Sequence, residues 1–187
     1  NGELQEKTSV FTVSTGSSGG GPAAINHVIF MMQENRSFDN YFGMLNAYRS
    51  ANGWSVGDDG KTYKVDGLDG TKSRIVNYSD EGAAFAPFKL ATSCIDDISS
   101  AWLESYGDVN RWDFSAARTL PMDGFVHVAE GYAKTLGLGD TTGKRTMGYY
   151  DQTFLNYYYF MASQFALSDR WFSPVSSKTV PNRIATM

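Results

Sequence analysis

The stretch that decides the fold is residues 27–43, His-Val-Ile-Phe-Met-Met-Gln-Glu-Asn-Arg-Ser-Phe-Asp-Asn-Tyr-Phe-Gly. Its continuous apolar run predicts a strand from Ile25 to Met32 that is buried on both faces, as in the parallel sheets of α/β proteins. Ligand sites in such sheets lie beyond the carboxyl ends of the strands, which is where Glu34 and Asn35 follow. Both side chains offer hard oxygen donors, which favour Mg²⁺, Ca²⁺ or Mn²⁺ and remain compatible with Zn²⁺. The stretch therefore predicts an α/β fold with a divalent metal cation, of unspecified identity, at Glu34 and Asn35.

Two helices are predicted from capping and periodicity. Ser37 is a good N-cap for a helix that continues through Leu45. Further along the chain, residues 151–166 repeat apolar side chains at three- and four-residue spacing, with Asp151 as the expected cap. The face so defined is expected to pack in the core, together with the neighbouring tyrosines and Phe160; its members are Leu155, Tyr158, Ala162 and Phe165.

The next segment is predicted as a strand from Leu167 to Val175. It is followed by a polar turn, Ser176-Ser177-Lys178-Thr179, and then by Pro181, a residue suited to the first position of a helix. A helix that starts there would direct free backbone N–H groups and a partial positive charge towards a bound phosphate. Thr179 then offers a hydroxyl nucleophile, and Arg183, with Lys178 as a weaker choice, offers positive charge.

Size and composition limit the classes of function. The chain has 187 residues, enough for one domain with a core. Its net charge of −4 does not suggest a basic surface of the kind that binds nucleic acid, so nucleic-acid binding is not expected. No apolar stretch approaches the length of a membrane span. The single cysteine, Cys94, excludes an intramolecular disulfide without identifying a compartment. The sequence gives no indication of the oligomeric state.

The chain is expected to divide at a flexible junction. Residues 1–22 are interpreted as an N-terminal tail and a Ser/Gly linker, whose first part is either the end of a preceding β domain or a disordered terminus. Residues 23–187 form the main domain. Within it, residues 50–90 are predicted to be a surface insertion with short hairpins. The acidic turn at residues 57–60 resembles a calcium-binding loop but lacks the later glutamate of an EF-hand. An ordinary turn without a bound cation is therefore favoured.

Residues 27–43 closely resemble the signature of the bacterial phosphoesterase family that contains phosphatidylcholine-type phospholipases C and related acid phosphatases. Four further segments resemble the family in the same order: Met122-Asp123-Gly124-Phe125-Val126, Met147-Gly148-Tyr149-Tyr150-Asp151, residues 165–172, and Thr179-Val180-Pro181-Asn182-Arg183. The resemblance implies a three-layer α/β/α sandwich of the alkaline-phosphatase-like type, with this chain as its N-terminal portion. It also implies export to the periplasm or beyond, and hydrolysis of phosphate esters.

The resemblance assigns roles to individual residues. The hydroxyl residue two positions before Pro-Asn-Arg is the family's nucleophile, which here is Thr179, with Ser176 and Ser177 as competitors. On its own, such a threonine is more often only a helix cap. Asn182 is expected to position the nucleophile's loop. Glu34 and Asn35 match the family's metal-binding Glu-Asn pair.

Other charged groups near these motifs receive structural interpretations. Arg36 is expected to pair with Asp39 or Asp151. His27 is interpreted as a hydrogen-bonded core residue, and His127 as a candidate for phosphate contact or proton transfer. A histidine that the family often carries is replaced by serine within residues 96–102.

The sequence therefore predicts a metal-dependent phosphoric ester hydrolase that acts through a covalent phosphothreonine. Its substrate is either a phospholipid or a small phosphomonoester. Because the family completes its metal site downstream of the nucleophile, and the given sequence stops at Met187, the chain is expected to be an incomplete fragment with little turnover. The alternative is a catalytically silent exported domain that binds phosphate or a partner. A generic doubly wound binding domain is disfavoured, because no glycine-rich phosphate loop follows the first strand.

Overall fold

The computed structural model of the chain describes residues 26–27, 34–70, 74–113 and 121–186. The chain divides into two units, residues 1–36 and residues 37–187. In the first unit, most of the predicted strand over residues 25–32 and the whole tail and linker at 1–22 lie outside the described residues. His27 is exposed, so the prediction that it is a core residue is wrong: its ring meets solvent rather than a packed interior.

The second unit combines helices with short strands. Its helices are α1 (Phe38–Phe42), α2 (Leu45–Ala51), α3 (Trp102–Asn110), α4 (Phe125–Leu136), α5 (Asn156–Gln164) and α6 (Thr179–Thr186), with a 3-10 helix at Lys144–Met147. The strands are β1 (Asn77–Tyr78), β2 (Ala84–Phe85), β3 (Phe88–Lys89) and β4 (Gly148–Tyr149). β1 pairs with β2 antiparallel, and β3 pairs with β4 parallel. This mixed helix and strand content fits an α/β fold.

The predicted N-cap is confirmed at the start of α1. The Ser37 hydroxyl accepts a hydrogen bond from the backbone N–H of Asn40 at 3.2 Å, which satisfies one of the donors that a helix start leaves open. The helix does not continue to Leu45, because the carbonyl of Gly43 turns away to accept from the N–H of Leu68 at 2.7 Å. A Cβ at Gly43 would lie 2.8 Å from the Leu68 side chain, so this close approach requires glycine.

The apolar residues Val126, Val128, Ala129 and Ala133 of α4 are buried, and a core cluster of the second unit lies where α2 meets α5. Its fully buried members are Leu45 and Tyr159, with Ala162 beside them. Tyr159 also donates its hydroxyl to the carbonyl of Tyr150 at 3.1 Å, because a buried phenol needs a hydrogen-bond partner. Aromatic rings from α1 and α2 pack edge-on or tilted against it.

The helix predicted over residues 151–166 is present but starts at Asn156. Asp151 does not cap it, because its carboxylate accepts from the N–H and the hydroxyl of Thr153 in the preceding turn. Phe165, assigned to the buried face, is 63% exposed. Tyr157 and Phe160, which were predicted to pack, are also exposed. The most deeply buried side chain of this helix is Tyr159.

A polar network holds α4 against its neighbours. The buried amide of Asn77 accepts from the N–H of Phe125 at 3.0 Å and so caps the first turn of α4 from a distant strand. Arg145 is 5% exposed and donates to the carbonyls of Asp97, Asp140 and Ala129. These bonds fix α4 between β1 and the 3-10 helix.

The strand predicted from Leu167 to Val175 is absent, and these residues are irregular. Trp171 and Phe172 are 74% and 76% exposed, so the apolar pattern does not enter a sheet. The predicted hairpins in the insertion are confirmed by the bridge between Val56 and Thr62 and by the β1–β2 pair. Among the described residues, no helix combines the length and the apolar character needed to cross a membrane.

Candidate functional site

The predicted nucleophile, Thr179, is the first residue of α6 and is half-buried. The helix starts two residues earlier than Pro181, so Thr179 belongs to the helix rather than to a preceding turn. The first N–H groups of a helix lack partners within it, and its N-terminus carries partial positive charge. The hydroxyl of Thr179 is therefore attached to the end of a helix that favours an anion.

The loop that leads to Thr179 is fixed by one amide side chain. Asn182 accepts at Oδ1 from the N–H of Val175 at 3.0 Å and donates from Nδ2 to the carbonyls of Ser177 and Lys178 at 2.9 and 3.1 Å. A fourth bond, from the N–H of Ser177 to the carbonyl of Val175 at 2.8 Å, lies within the same loop. These contacts are the ones expected of a residue that positions the loop before the hydroxyl.

The charged and hydroxyl neighbours of Thr179 differ in their burial. Arg183 is half-buried and lies four residues after Thr179, so the two side chains share one face of α6. Lys178 is exposed. Of the competing hydroxyls, Ser177 is half-buried and Ser176 is exposed. The arrangement places a hydroxyl at the N-terminus of α6 and a guanidinium in its last turn, on the same face of the helix.

Glu34 and Asn35, the predicted metal ligands, are exposed residues of the first unit. The guanidinium of Arg36 donates to the backbone carbonyl of Asn35 at 2.8 Å. Glu34 and Asn35 carry one carboxylate and one amide oxygen, a donor set that suits a hard divalent cation and leaves further positions to other ligands. In the ranges described, no three or more His, Cys, Asp or Glu side chains are grouped to hold a metal. That these ligands share one site with Thr179 stays a prediction.

Two of the motifs quoted above are joined by backbone and amide contacts. Asn40 donates from its amide to the carbonyl of Gly148, and its own carbonyl accepts from the N–H of Tyr150, both at 2.7 Å. The residue that follows, Asp151, forms an ion pair with Lys89 at 2.8 Å. Burial alone would raise the pKa of Asp151, but hydrogen bonds from Lys89 and Thr153 outweigh it and lower the pKa. Asp151 is thus held as a carboxylate by Lys89, a partner that the sequence did not suggest.

A third motif is tied to the insertion. Arg170 donates two hydrogen bonds to the carboxylate of Asp66, at 2.9 and 2.6 Å. The neighbouring Asp169 accepts from the N–H of Asp66 at 2.6 Å. Both partners of the ion pair are exposed, so it contributes little to stability, although the paired contacts fix where the segment lies.

His127, the candidate for phosphate contact or proton transfer, lies in the first turns of α4. Its Nδ1 pairs with the carboxylate of Asp80, and its ring meets the edge of Trp112 with centroids 5.1 Å apart. Glu130, on the next turn, is buried between Lys134 and the N–H of Asp80. Within the part of the chain that the structure describes, the contacts of His127 and Glu130 with Asp80 connect α4 to the β1–β2 hairpin. The contacts observed for His127 are those of a residue that holds two elements together.

Sequence reasoning missed the long-range polar residues that support these motifs. The roles of Asn77 and Arg145 could not be predicted from neighbouring residues. Asn77 binds the N–H of Phe125, and Arg145 binds the carbonyl of Asp97, each at a separation of 48 residues along the chain. Only the i,i+4 pair of Glu130 and Lys134 could have been recognised from spacing.

Comparison with known proteins places these motifs in a wider group. The model of the Phosphoesterase family matches residues 25–187. The chain is similar to "Phospholipase C B" of Mycobacterium tuberculosis, with 26% identity over 87% of this chain and 29% of the relative. It is similar to "Hemolytic phospholipase C" of Pseudomonas aeruginosa, with 29% identity over 87% of the chain and 19% of the relative. "Non-specific phospholipase C3" of Arabidopsis thaliana is 32% identical over 90% of the chain and 30% of the relative. The chain thus spans less than a third of the length of each of these relatives.

Proposed function

Because the chain belongs to the Phosphoesterase family, we propose that it forms part of a phosphoric ester hydrolase in which Thr179 is the nucleophile. The observation that carries this proposal is a set of three hydrogen bonds at the Asn182 side chain, which accepts from the N–H of Val175 and donates to the carbonyls of Ser177 and Lys178. These bonds hold the loop that precedes Thr179. Positioning of this kind lowers the barrier of a displacement, because the attacking oxygen does not have to be ordered at each turnover.

The chemistry proposed for Thr179 has two steps. In the first, Oγ1 gives up its proton and forms a bond to phosphorus while the bond to the leaving alcohol breaks, and the alcohol departs with a proton. In the second, the oxygen of a water molecule replaces Oγ1 at phosphorus, which releases phosphate or a phosphorylated head group and restores the hydroxyl. Arg183 and the N–H groups at the start of α6 stabilise the negative charge on the phosphoryl oxygens.

A divalent cation held by Glu34 and Asn35 is part of the same proposal. Such a cation, when bound, would polarise the phosphoryl group and favour the ionised form of an attacking hydroxyl. Glu34 and Asn35 would hold it, and Arg36 orients the backbone of Asn35 by donating to its carbonyl.

The remaining parts of the proposal concern fold and context. We propose that residues 23–187 belong to a three-layer α/β/α sandwich of the alkaline-phosphatase-like type and that the protein is exported. The substrate is a phosphate ester, and the names of the relatives, all phospholipases C, favour a phospholipid over a small phosphomonoester. Fractionation of cells that express the natural protein tests export, because the proposal expects it outside the cytoplasm.

The test of the reaction measures release of p-nitrophenol from its phosphate and phosphorylcholine esters, with and without a chelator. It is run on this chain and on any longer natural form of the protein. In any form that turns over substrate, we expect the chelator to remove the activity, Thr179→Ala to abolish it, and Thr179→Ser, which keeps a hydroxyl, to retain part of it. Ser177→Ala is the matched control and should retain activity.

Four results would count against the proposal. Full activity of Thr179→Ala would eliminate the nucleophile, and loss of activity in Ser177→Ala with retention in Thr179→Ala would move the role to Ser177. Unchanged metal content in Glu34→Ala would eliminate the proposed ligand. Binding of phosphate without hydrolysis in every form tested would favour a catalytically silent phosphate-binding domain.

A further inference from the structure

A cleft separate from α6 opens between the end of α2, the hairpin at residues 54–63 and the end of α5. Its volume is about 440 Å³, within the range of natural small-molecule sites. The side chains that matter for its chemistry are Arg49, Trp54, Asp58 and Tyr63, with Ser163 and Gln164 at the end of α5. None of these residues belongs to the motifs quoted above.

Arg49 is a partly buried cation for which the described residues provide no counterion. Its Nη2 donates to the carbonyl of Ala162 at 2.6 Å, but its Nε is buried with no hydrogen-bond partner. In the part of the chain that is described, no carboxylate lies within 4.0 Å of its guanidinium. Burial lowers the pKa of Arg49, as expected when a charge leaves water without compensation.

Arg145 is a buried arginine whose charge is compensated by polar partners. Arg145 pairs with the carboxylate of Asp140 at 3.3 Å and donates to three backbone carbonyls. Partly buried charges in proteins are normally paired in this way. Among the described residues Arg49 therefore has no paired anion, and it lines a cleft large enough to admit one.

The two aromatic side chains that line the cleft, Trp54 and Tyr63, are held in place by contacts within the protein. The ring of Trp54 meets Tyr48 and Phe160 edge-on, with centroids 5.7 and 6.1 Å apart, yet the residue remains 37% exposed. Tyr63 is held by a hydrogen bond from its hydroxyl to Asp59 at 2.9 Å. Rings held before a ligand arrives reduce the entropy lost on binding.

The geometry points to a binding site for a small organic anion in this cleft, with its carboxylate or phosphate group on Arg49 and its apolar body against Trp54. Asp58 lines the same cleft and repels additional negative charge, so ligands with one anionic group are favoured over polyanions. The inference does not depend on hydrolysis at Thr179, because it concerns a different set of residues.

The test is a titration of the isotope-labelled wild-type chain, followed by NMR. The probes are inorganic phosphate, acetate, phenyl phosphate and benzoate, which separate phosphate from carboxylate and bare anions from anions with an apolar body. We expect saturable shifts at the Trp54 indole and at the backbone of Arg49 and Ser163. The aromatic member of at least one pair should bind about tenfold more tightly than its bare anion, because it also buries apolar area on Trp54.

Variants then assign the effect to the guanidinium. Arg49→Gln should weaken binding about tenfold or more, as expected when one charge-assisted contact is lost. Lys61→Gln removes the same charge from the neighbouring hairpin outside the cleft and should leave binding unchanged. Thr179→Ala should also bind normally, which separates this inference from the proposed reaction.

The inference would be overturned if the wild-type signals at Arg49, Trp54 and Ser163 did not respond to any of the four anions. It would also be overturned if Lys61→Gln lost as much affinity as Arg49→Gln, because the effect would then be one of net charge. If Arg49→Gln does not fold, the wild-type titration decides the question, since shifts elsewhere in the chain and none in the cleft refute the site.

Discussion

Replacing Asp108 with asparagine should stabilise the protein at neutral and alkaline pH and do little in acid. Asp108 lies on α3, and its Oδ1 is buried without a hydrogen-bond partner in the described part of the chain. Burial, with a smaller contribution from the negative charge of Glu104, raises the pKa of Asp108 to about 7. An unfolded aspartate has a pKa of about 3.9, so the folded chain holds this proton more tightly.

The sign and size of the effect follow from proton linkage. Between about pH 4 and pH 7 the folded state binds more protons at Asp108 than the unfolded state, so the free energy of unfolding falls as the pH rises. A pKa that is higher by about three corresponds to a loss of about 4 kcal/mol, complete above pH 7 and absent below pH 4. Asparagine keeps the shape of the protonated acid and carries no charge, so it avoids this loss.

The assay is urea unfolding of the wild type and of Asp108→Asn at pH 4.5 and pH 8. We expect the variant to exceed the wild type by about 1 kcal/mol at pH 4.5 and by about 4 kcal/mol at pH 8, the larger value being an upper limit for an incompletely buried group. Asp58→Asn is the matched control, since it removes the same charge from an exposed residue; it should change stability by less than about 0.5 kcal/mol at both pH values. An equal gain for Asp108→Asn at both pH values would refute the reasoning.

Three further predictions concern packing and the loop before α6. Gly124→Ala should destabilise the protein by about 3 kcal/mol or more in urea unfolding, because the new Cβ would clash with the carbonyl oxygen of Gly107. Gly131 lies inside α4, the helix that Gly124 precedes, and a Cβ there would meet nothing within 4 Å. Gly131→Ala should therefore be neutral or stabilising by up to about 1 kcal/mol, and equal effects of the two substitutions would contradict this account. Tyr159→Phe should cost about 1 kcal/mol of unfolding free energy, through loss of the bond to the Tyr150 carbonyl, and no measurable cost would show that this bond does not contribute. Asn182→Ala should increase amide hydrogen exchange at Val175, whose N–H it leaves without its partner, while exchange in α4 stays unchanged; unchanged exchange at Val175 would contradict the proposed positioning.

The sequence was most reliable where structure is set by neighbours along the chain. The Ser37 cap was predicted because a helix start depends on a side chain and an N–H three residues later. Asn182 makes three hydrogen bonds to residues no more than seven positions away, while its role in positioning the nucleophile's loop stays a prediction. The hairpins of the insertion were predicted from their turn residues for the same reason.

The failures have a common cause in contacts between distant parts of the chain. Asp151 was predicted to be a helix cap from its position in the sequence. Its carboxylate instead pairs with Lys89, 62 residues earlier, and accepts a hydrogen bond from the N–H of Thr153. Residues 167–175 read as a strand from their composition, yet Arg170 is paired with Asp66 at a separation of 104 residues and Phe172 stays exposed. The cleft at Arg49 was not predicted, because it exists only where α2, the hairpin and α5 meet.

The most direct test of the central claim is to trap the phosphorylated form of the protein. A form that hydrolyses a phosphate ester is mixed with substrate, quenched in acid within one turnover, digested and sequenced by mass spectrometry. The account predicts a phosphoryl group on Thr179, absent from the same peptide of Thr179→Ala. A phosphoryl group on Ser177, or hydrolysis without any phosphorylated peptide, would contradict it.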